Sequence, residues 1–206
     1  MRTILVTGFG PFPRAPFNPT AALVRRLARA ARRSGINCVA HVFATSYAAV
    51  DRELPALLAT HRPDAIVMFG LAGGRKSLSI ETVARNRRIV WFPDAAGTAP
   101  PRPAIALGAP SSRRGRAPFM QLLAAARSTR VATALSRDAG NYLCNYLYWC
   151  ALEAAAKPGG PQRAVFVHVP QLGPKSRPRA DDRHRTFTLD QFERAGRAIL
   201  RAVSRG

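Results

Sequence analysis

Apolar residues recur along this chain with two periods, and their alternation predicts the architecture. Short blocks with few polar breaks read as strands at Arg2–Thr7, Cys38–Phe43, Ala65–Phe69 and Ala164–Val169. The block Ala65-Ile66-Val67-Met68-Phe69 is apolar throughout, as in a strand buried on both faces. Longer segments read as helices at Pro19–Arg33, Ala48–Thr60, Phe119–Ser128, Tyr142–Ala156 and Leu189–Val203. Asn18 suits the cap of the first helix and Pro19 its first turn, while Gly35 supplies a left-handed stop after Ser34. Pro55 is expected to shorten or kink the second helix. Strands and helices in turn predict an α/β fold, a single-domain three-layer α-β-α with a twisted, mostly parallel central sheet.

Two stretches break the pattern. Residues 85–118 are rich in Pro and Arg and read as an irregular excursion, too long for a simple connection. A second polar loop is expected from Gly173 to His184. With 206 residues and 47% hydrophobic content, one domain over residues 1–206 with a full core is the simple expectation. No apolar run is long enough to span a membrane. Three cysteines without metal-like spacing argue against a disulfide framework, and the N-terminus lacks the apolar block of a signal peptide. A reduced, cytoplasmic protein is expected.

Charge changes the picture less than its size suggests. The net charge is +21, from 32 Lys and Arg against 11 acids. Such an excess can hold phosphates without reading sequence. The basic residues are spread over the whole length, few aromatics are interleaved, and no nucleic-acid motif is present. A compositional origin, alongside abundant Ala, Pro and Gly, is favoured over a nucleic-acid or other polyanion partner, which stays open.

The candidate chemistry begins at Asp138-Ala139-Gly140-Asn141-Tyr142-Leu143-Cys144-Asn145. Helix-initiating residues there deliver Cys144 to the start of an apolar helix. The unpaired N–H groups and positive dipole end favour thiolate, the nucleophilic form. The alternative is a small buried core residue. A nucleophile of this kind needs a base and a group to orient the base. His168 ends the strand Ala164–Val169 and is the base candidate, or else a structural histidine. His41 reads as packing, and His61 and His184 as solvated. Glu81, between Ile80 and Val83, is the candidate orienting carboxylate, or a charge partner for Arg75 or Arg85. Asp94 reads as a turn residue. The turn Thr7-Gly8-Phe9-Gly10-Pro11-Phe12-Pro13 is no dinucleotide loop, because a glycine is missing and two prolines remove donors. It instead presents Phe9 and Phe12 at the carboxyl end of a strand, where ligands bind in open α/β sheets.

These segments together resemble the pyroglutamyl-peptidase I family of cysteine peptidases over nearly the whole chain. Thr7-Gly8-Phe9-Gly10-Pro11-Phe12 with Asn18-Pro19 resembles its N-terminal signature. Gly70-Leu71-Ala72-Gly73-Gly74-Arg75 with Glu81, Val83, Ala84 and Asn86 resembles the segment of its active-site glutamate. Ala139–Asn145 resembles its nucleophile segment, and Phe166-Val167-His168-Val169-Pro170 its histidine segment. The resemblance implies Cys144 as nucleophile, His168 as base and then acid, and Glu81 as the residue orienting His168. It also implies removal of an N-terminal pyroglutamyl residue from peptides through a thioester. Phe9, Phe12 and Tyr142 would line the lactam pocket, with Leu71 beside it. No metal and no organic cofactor are implied; a homo-oligomer, dimer or tetramer, fits the family. Leu71 stands where the family commonly has glutamine, and Trp91 where it often has arginine. These departures leave open a related amidase with altered N-acyl specificity, and the charge leaves open an inactive basic, polyanion-binding relative.

Overall fold

The computed structural model describes residues 2–12, 15–173 and 187–205. His184 and most of the expected polar loop at 173–184 lie outside them. The chain runs β1 (Thr3–Phe9), α1 (Pro19–Arg33), β2 (Asn37–Phe43), α2 (Tyr47–His61), β3 (Ala65–Leu71), β4 (Leu78–Glu81), β5 (Val83–Arg85) and β6 (Ser112–Arg114). It continues with α3 (Phe119–Arg127), β7 (Thr133–Ser136), α4 (Leu143–Ala155), β8 (Arg163–Val169) and α5 (Leu189–Arg205). Among the described residues, six strands form one sheet in the order β2-β1-β3-β8-β4-β7, and β5 pairs antiparallel with β6 in a separate two-stranded sheet.

Local chemistry sets the boundaries of α1. Asn18 Oδ1 accepts from Thr20 N at 3.1 Å, a cap contributing about 1 kcal/mol. Gly35, at φ 75°, turns the chain out of the helix. Pro55 does not shorten α2, which runs unbroken from Tyr47 to His61. Its first turn is held by Ser46 Oγ, which accepts from Ala49 N at 3.2 Å.

Alternation along the strands feeds two cores, one on each face of the sheet. Ile4, Val6, Val67, Phe69, Val165 and Val167 face one way, under Leu23 and Leu27 of α1, Leu122 of α3 and Phe192 and Ile199 of α5. Leu5, Ile66, Met68 and Phe166 face the other way, toward Val50 and Leu54 of α2 and Leu147 and Trp149 of α4. The three-layer, mostly parallel α/β arrangement read from the sequence is therefore present, with one difference. β4 runs antiparallel to β8, and β7 follows β4. The link between β3 and β4 is residues 72–77, too short for the crossover a parallel return needs. These two four-residue strands carry too few positions for a period to be read from sequence.

The excursion at 85–118 is anchored. β5 and β6 close its base, and Asn86 ties its interior. Asn86 Oδ1 accepts from Ile105 N and Ala106 N at 2.8 and 2.9 Å, and its Nδ2 donates to Ala106 O at 2.7 Å. Among the described residues, no helix is long and apolar enough to cross a membrane.

Candidate active site

Strand parity decides which side chains can meet. In β8, Val165, Val167 and Val169 belong to the core under α1 and α5, so Phe166 and His168 face α4. In β4, Leu78 and Ile80 occupy that same first core, which turns Ser79 and Glu81 toward α4 as well. Glu81 and His168 are not at matching ends of parallel strands, as simple alternation suggests. β4 arrives from the opposite direction, with Ser79 paired to His168 and Glu81 to Phe166. The carboxylate then reaches along the sheet to the imidazole.

His168 Nδ1 lies 2.8 Å from Glu81 Oε1, and both side chains are buried. With Nδ1–H donated to the carboxylate, Nε2 is left for Cys144, with which His168 also shares a hydrogen bond. Burial alone would lower the His168 pKa. The hydrogen bonds with Cys144 and Glu81 outweigh it and hold the imidazole up at about 9. Arg75 is the second partner of Glu81: its Nη2 donates to Oε1 at 3.3 Å and to the Asp138 carbonyl at 2.5 Å. Nη1 of the same guanidinium donates to Ser136 Oγ at 3.2 Å. Glu81 thus faces both His168 and Arg75. Tyr148 fixes the backbone beneath, its hydroxyl donating to the Glu81 carbonyl at 2.8 Å.

Cys144 is half-buried in the first turn of α4. The helix begins one residue later than the sequence pattern suggests, with Tyr142 as an N-cap whose side chain does not cap it. Asp138 and Asn141 act earlier. Asp138 Oδ1 accepts from Gly140 N at 3.0 Å, and the Asn141 carbonyl accepts from Ile89 N at 2.7 Å. The first-turn N–H groups therefore lack a side-chain cap, at the positive end of the helix dipole. Gly70 pairs with His168 across β3 and β8, and a Cβ there would lie 2.7 Å from Cys144 Sγ. Only glycine lets the thiol come this close to the sheet.

The other two thiols are different. Burial, with smaller effects from Asp51 and Glu153, pushes Cys150 up to about 12. Burial pushes Cys38 up to about 11 against the nearby Arg32. A cleft of about 760 Å³ between α2 and α4 is lined by Leu54, Trp149, Cys150 and Glu153, but not by Cys144, His168 or Glu81.

The expected pocket residues fall in several places. Phe9 is the last residue of β1, buried with its ring 6.0 Å from Phe43, and so belongs to the core edge rather than a loop. Phe12 is half-buried on the turn, bridged to Ala15. Leu71 is half-buried at the end of β3, paired with Val169. Tyr142 donates its hydroxyl to the Pro93 carbonyl at 3.0 Å and lies 5.3 Å from the Phe92 ring. Trp91 is 77% exposed, so the residue in the place of an arginine fills no interior space. His41 is more than packing, since its Nε2 lies 2.9 Å from Glu53 Oε2. Asp94 does hold its turn, accepting from Ala96 N and Thr98 N, and it also accepts from Tyr47 N at 2.9 Å.

Three neighbours of the candidate site have contacts that only the fold reveals. Gly70 opens the motif Gly70–Arg75 and lies within β3, but nothing local shows that a thiol packs against it. Asn145 is legible in hindsight as a buried amide in an apolar helix. It clamps α4 to the chain after β5 through Arg85 N, Arg85 O and Arg87 O. Tyr47 stacks edge-on against Tyr142 and Tyr146, and its hydroxyl is buried without a hydrogen-bond partner among the described residues. Its pKa is raised, first by burial, with Cys144 among the charges acting on it. Among the described residues, no cluster of three or more His, Cys, Asp or Glu could hold a metal ion.

Comparison with known proteins falls on the same ground. A family model described as pyroglutamyl peptidase matches residues 2–204. A pyrrolidone-carboxylate peptidase from Cupriavidus pinatubonensis is 32% identical over 205 residues, covering 99% of this chain and 92% of the relative. One from Ralstonia nicotianae is 34% identical over 172 residues, 84% of this chain and 80% of the relative. The crystal structure of a pyrrolidone carboxyl peptidase from Fervidobacterium islandicum superposes with a TM-score of 0.88 at 26% identity, covering 99% of each chain. Pyroglutamyl peptidase I of Bacillus amyloliquefaciens gives a TM-score of 0.84 at 27% identity, covering 99% of this chain and 98% of that one.

Proposed function

The chain belongs to the pyroglutamyl peptidase family, and from that premise we propose that it hydrolyses the amide bond after an N-terminal pyroglutamyl residue, with Cys144, His168 and Glu81 as its catalytic residues. The observation that carries this reading is the buried relay on the α4 face: carboxylate to imidazole at 2.8 Å, and imidazole to thiol.

The imidazolium held by Glu81 is the counter-ion of a Cys144 thiolate. Sγ attacks the pyroglutamyl carbonyl and forms the C–S bond, and negative charge develops on the carbonyl oxygen. The uncapped N–H groups at the start of α4 stabilise that oxygen. His168 passes its proton to the leaving amine as the C–N bond breaks, leaving a thioester. Neutral His168 then takes a proton from water as its oxygen attacks the thioester. Pyroglutamate leaves, and the proton returns to the sulfur–imidazole pair. Glu81 keeps one ring face and one tautomer in place throughout.

The acyl pocket of this reading is apolar. A neutral five-membered lactam suits apolar walls with few polar groups. Phe9, Phe12, Leu71 and Tyr142 are the wall residues of this reading, and the Tyr47 hydroxyl, without a hydrogen-bond partner among the described residues, is its donor for the lactam carbonyl. A cytoplasmic setting accords with three free thiols.

A pyroglutamyl fluorogenic amide, assayed under reducing conditions beside Cys144→Ala, tests the reading. Turnover that is lost in the variant supports it. A folded protein inert toward this amide but active on other blocked aminoacyl amides would move the assignment to a related amidase.

A further inference from the structure

The arginines that look scattered in the sequence are gathered by the fold. α1 carries Arg25, Arg26, Arg29, Arg32 and Arg33 and no acid, and α5 beside it carries Arg194, Arg197, Arg201 and Arg205. Gly196 lets the two helices approach closely, since a Cβ there would meet the Leu27 side chain at 2.9 Å. Between them lies a groove of about 350 Å³ lined by Arg26, Arg29, Arg33 and Arg197, with Glu193 as its acid.

Among the described residues, little neutralises this groove. Asp190 and Glu193 both pair with Arg26, at 2.6 and 3.5 Å. The other described carboxylates are engaged elsewhere: Glu53 with His41, Glu81 with His168, Glu153 with Arg113, Asp94 with backbone N–H groups. Asp51 accepts from Tyr146, Asp64 from Thr3 N and Asp138 from Gly140 N. Arg29, Arg33 and Arg197 have no ion-pair partner among the described residues. Arg26, Arg29 and Arg33 advance by three and four residues, so their charges step along one face by about 5 Å. A row of that kind matches a polymer of phosphates better than a single anion, which would engage one or two guanidiniums. The groove also lies on the layer opposite α4, so an occupant there leaves the thiol accessible.

We propose that the α1–α5 face binds the phosphate backbone of nucleic acid without reading its sequence, while the peptidase site on the opposite layer stays open. No base-reading motif is needed for this, because phosphate contacts position a partner and supply the salt-dependent affinity.

The test uses the whole protein and two dye-labelled DNA duplexes of unrelated sequence, followed by fluorescence anisotropy over a salt series. The wild type is expected to bind both duplexes alike, with affinity falling linearly in log salt. Arg29→Gln/Arg33→Gln/Arg197→Gln is expected to lose at least about tenfold in affinity and to flatten the salt slope by about two to three. Hydrolysis of a pyroglutamyl amide by the same preparation stays at the wild-type rate and certifies the fold; if the wild type lacks that activity, far-ultraviolet circular dichroism serves instead. The control Arg102→Gln/Arg114→Gln/Arg116→Gln removes equal charge elsewhere and is expected to bind as wild type. The proposal is overturned if the wild type does not bind at low salt. Equal loss in both triple variants, or unchanged binding in the first, overturns it too.

Discussion

Cys144 and Cys150 occupy one helix, less than two turns apart, in opposite surroundings. The first lies at the uncapped end of α4, against Gly70 and in hydrogen-bond contact with an imidazole. The second lies mid-helix, where burial and the carboxylates of Asp51 and Glu153 hold it as a thiol. The same side chain is therefore the proposed nucleophile in one place and a small apolar residue in the other. What separates them is the partner across the sheet and the helix end, not the residue type.

The largest effect that could break this contrast is at the sulfur itself. Cys144→Ala should abolish pyroglutamyl-amide hydrolysis, while Cys150→Ala and Cys38→Ala should retain near wild-type rates. A Cys144→Ala protein that still turns over would move the nucleophile elsewhere. Next comes the base, which transfers a proton in both half-reactions: His168→Ala should lower kcat by about 10²–10⁴-fold in steady-state assays. Glu81→Gln should be milder. It loses one charge-assisted hydrogen bond of about 1.5–3 kcal/mol, or roughly ten- to a hundredfold in rate. Wild-type rates there would leave Glu81 as a partner of Arg75 alone.

Chemical labelling sharpens the same contrast without mutation. Iodoacetamide at neutral pH should modify Cys144 first, with Cys150 labelled only on unfolding, as read by peptide mass spectrometry. Preferential labelling of Cys150 would reverse the comparison.

The smallest expected effect is on stability. His168 is raised from 6.5 to about 9 in the fold, so the native state binds more protons than the unfolded chain between those values. The stabilisation is fully present below 6.5 and is lost as pH rises through 9. Denaturation midpoints should therefore fall over that window, and the fall should be shallower in His168→Ala. An identical slope in both proteins would remove His168 as its source.

Much of the fold was legible because its signals are local. Asn18, Pro19 and Gly35 mark the ends of α1 by capping chemistry alone. The apolar run in β3 announces burial on both faces, since successive side chains point to opposite cores. β4 and β7 escaped because four residues carry no period, and the reversal of β4 escaped because it depends on a neighbour ninety residues away. The site divides in the same manner. Cys144, His168 and Glu81 each stood out singly, by helix position, strand end and scarcity of acids. The close approach at Gly70 and the buried Tyr47 hydroxyl were not legible, because what matters at each is the atom that faces it.

By itself, then, the sequence determined the alternation of elements, the helix ends, the candidate residues and the family resemblance. All of these depend on residues within a few positions of one another or on short motifs. Only the tertiary structure decided that Glu81 and His168 share a face, that Cys144 lies against Gly70, and that the arginines of α1 and α5 line one groove. Those facts rest on strand direction, parity and helix packing, and contacts between distant segments are set only when the sheet assembles.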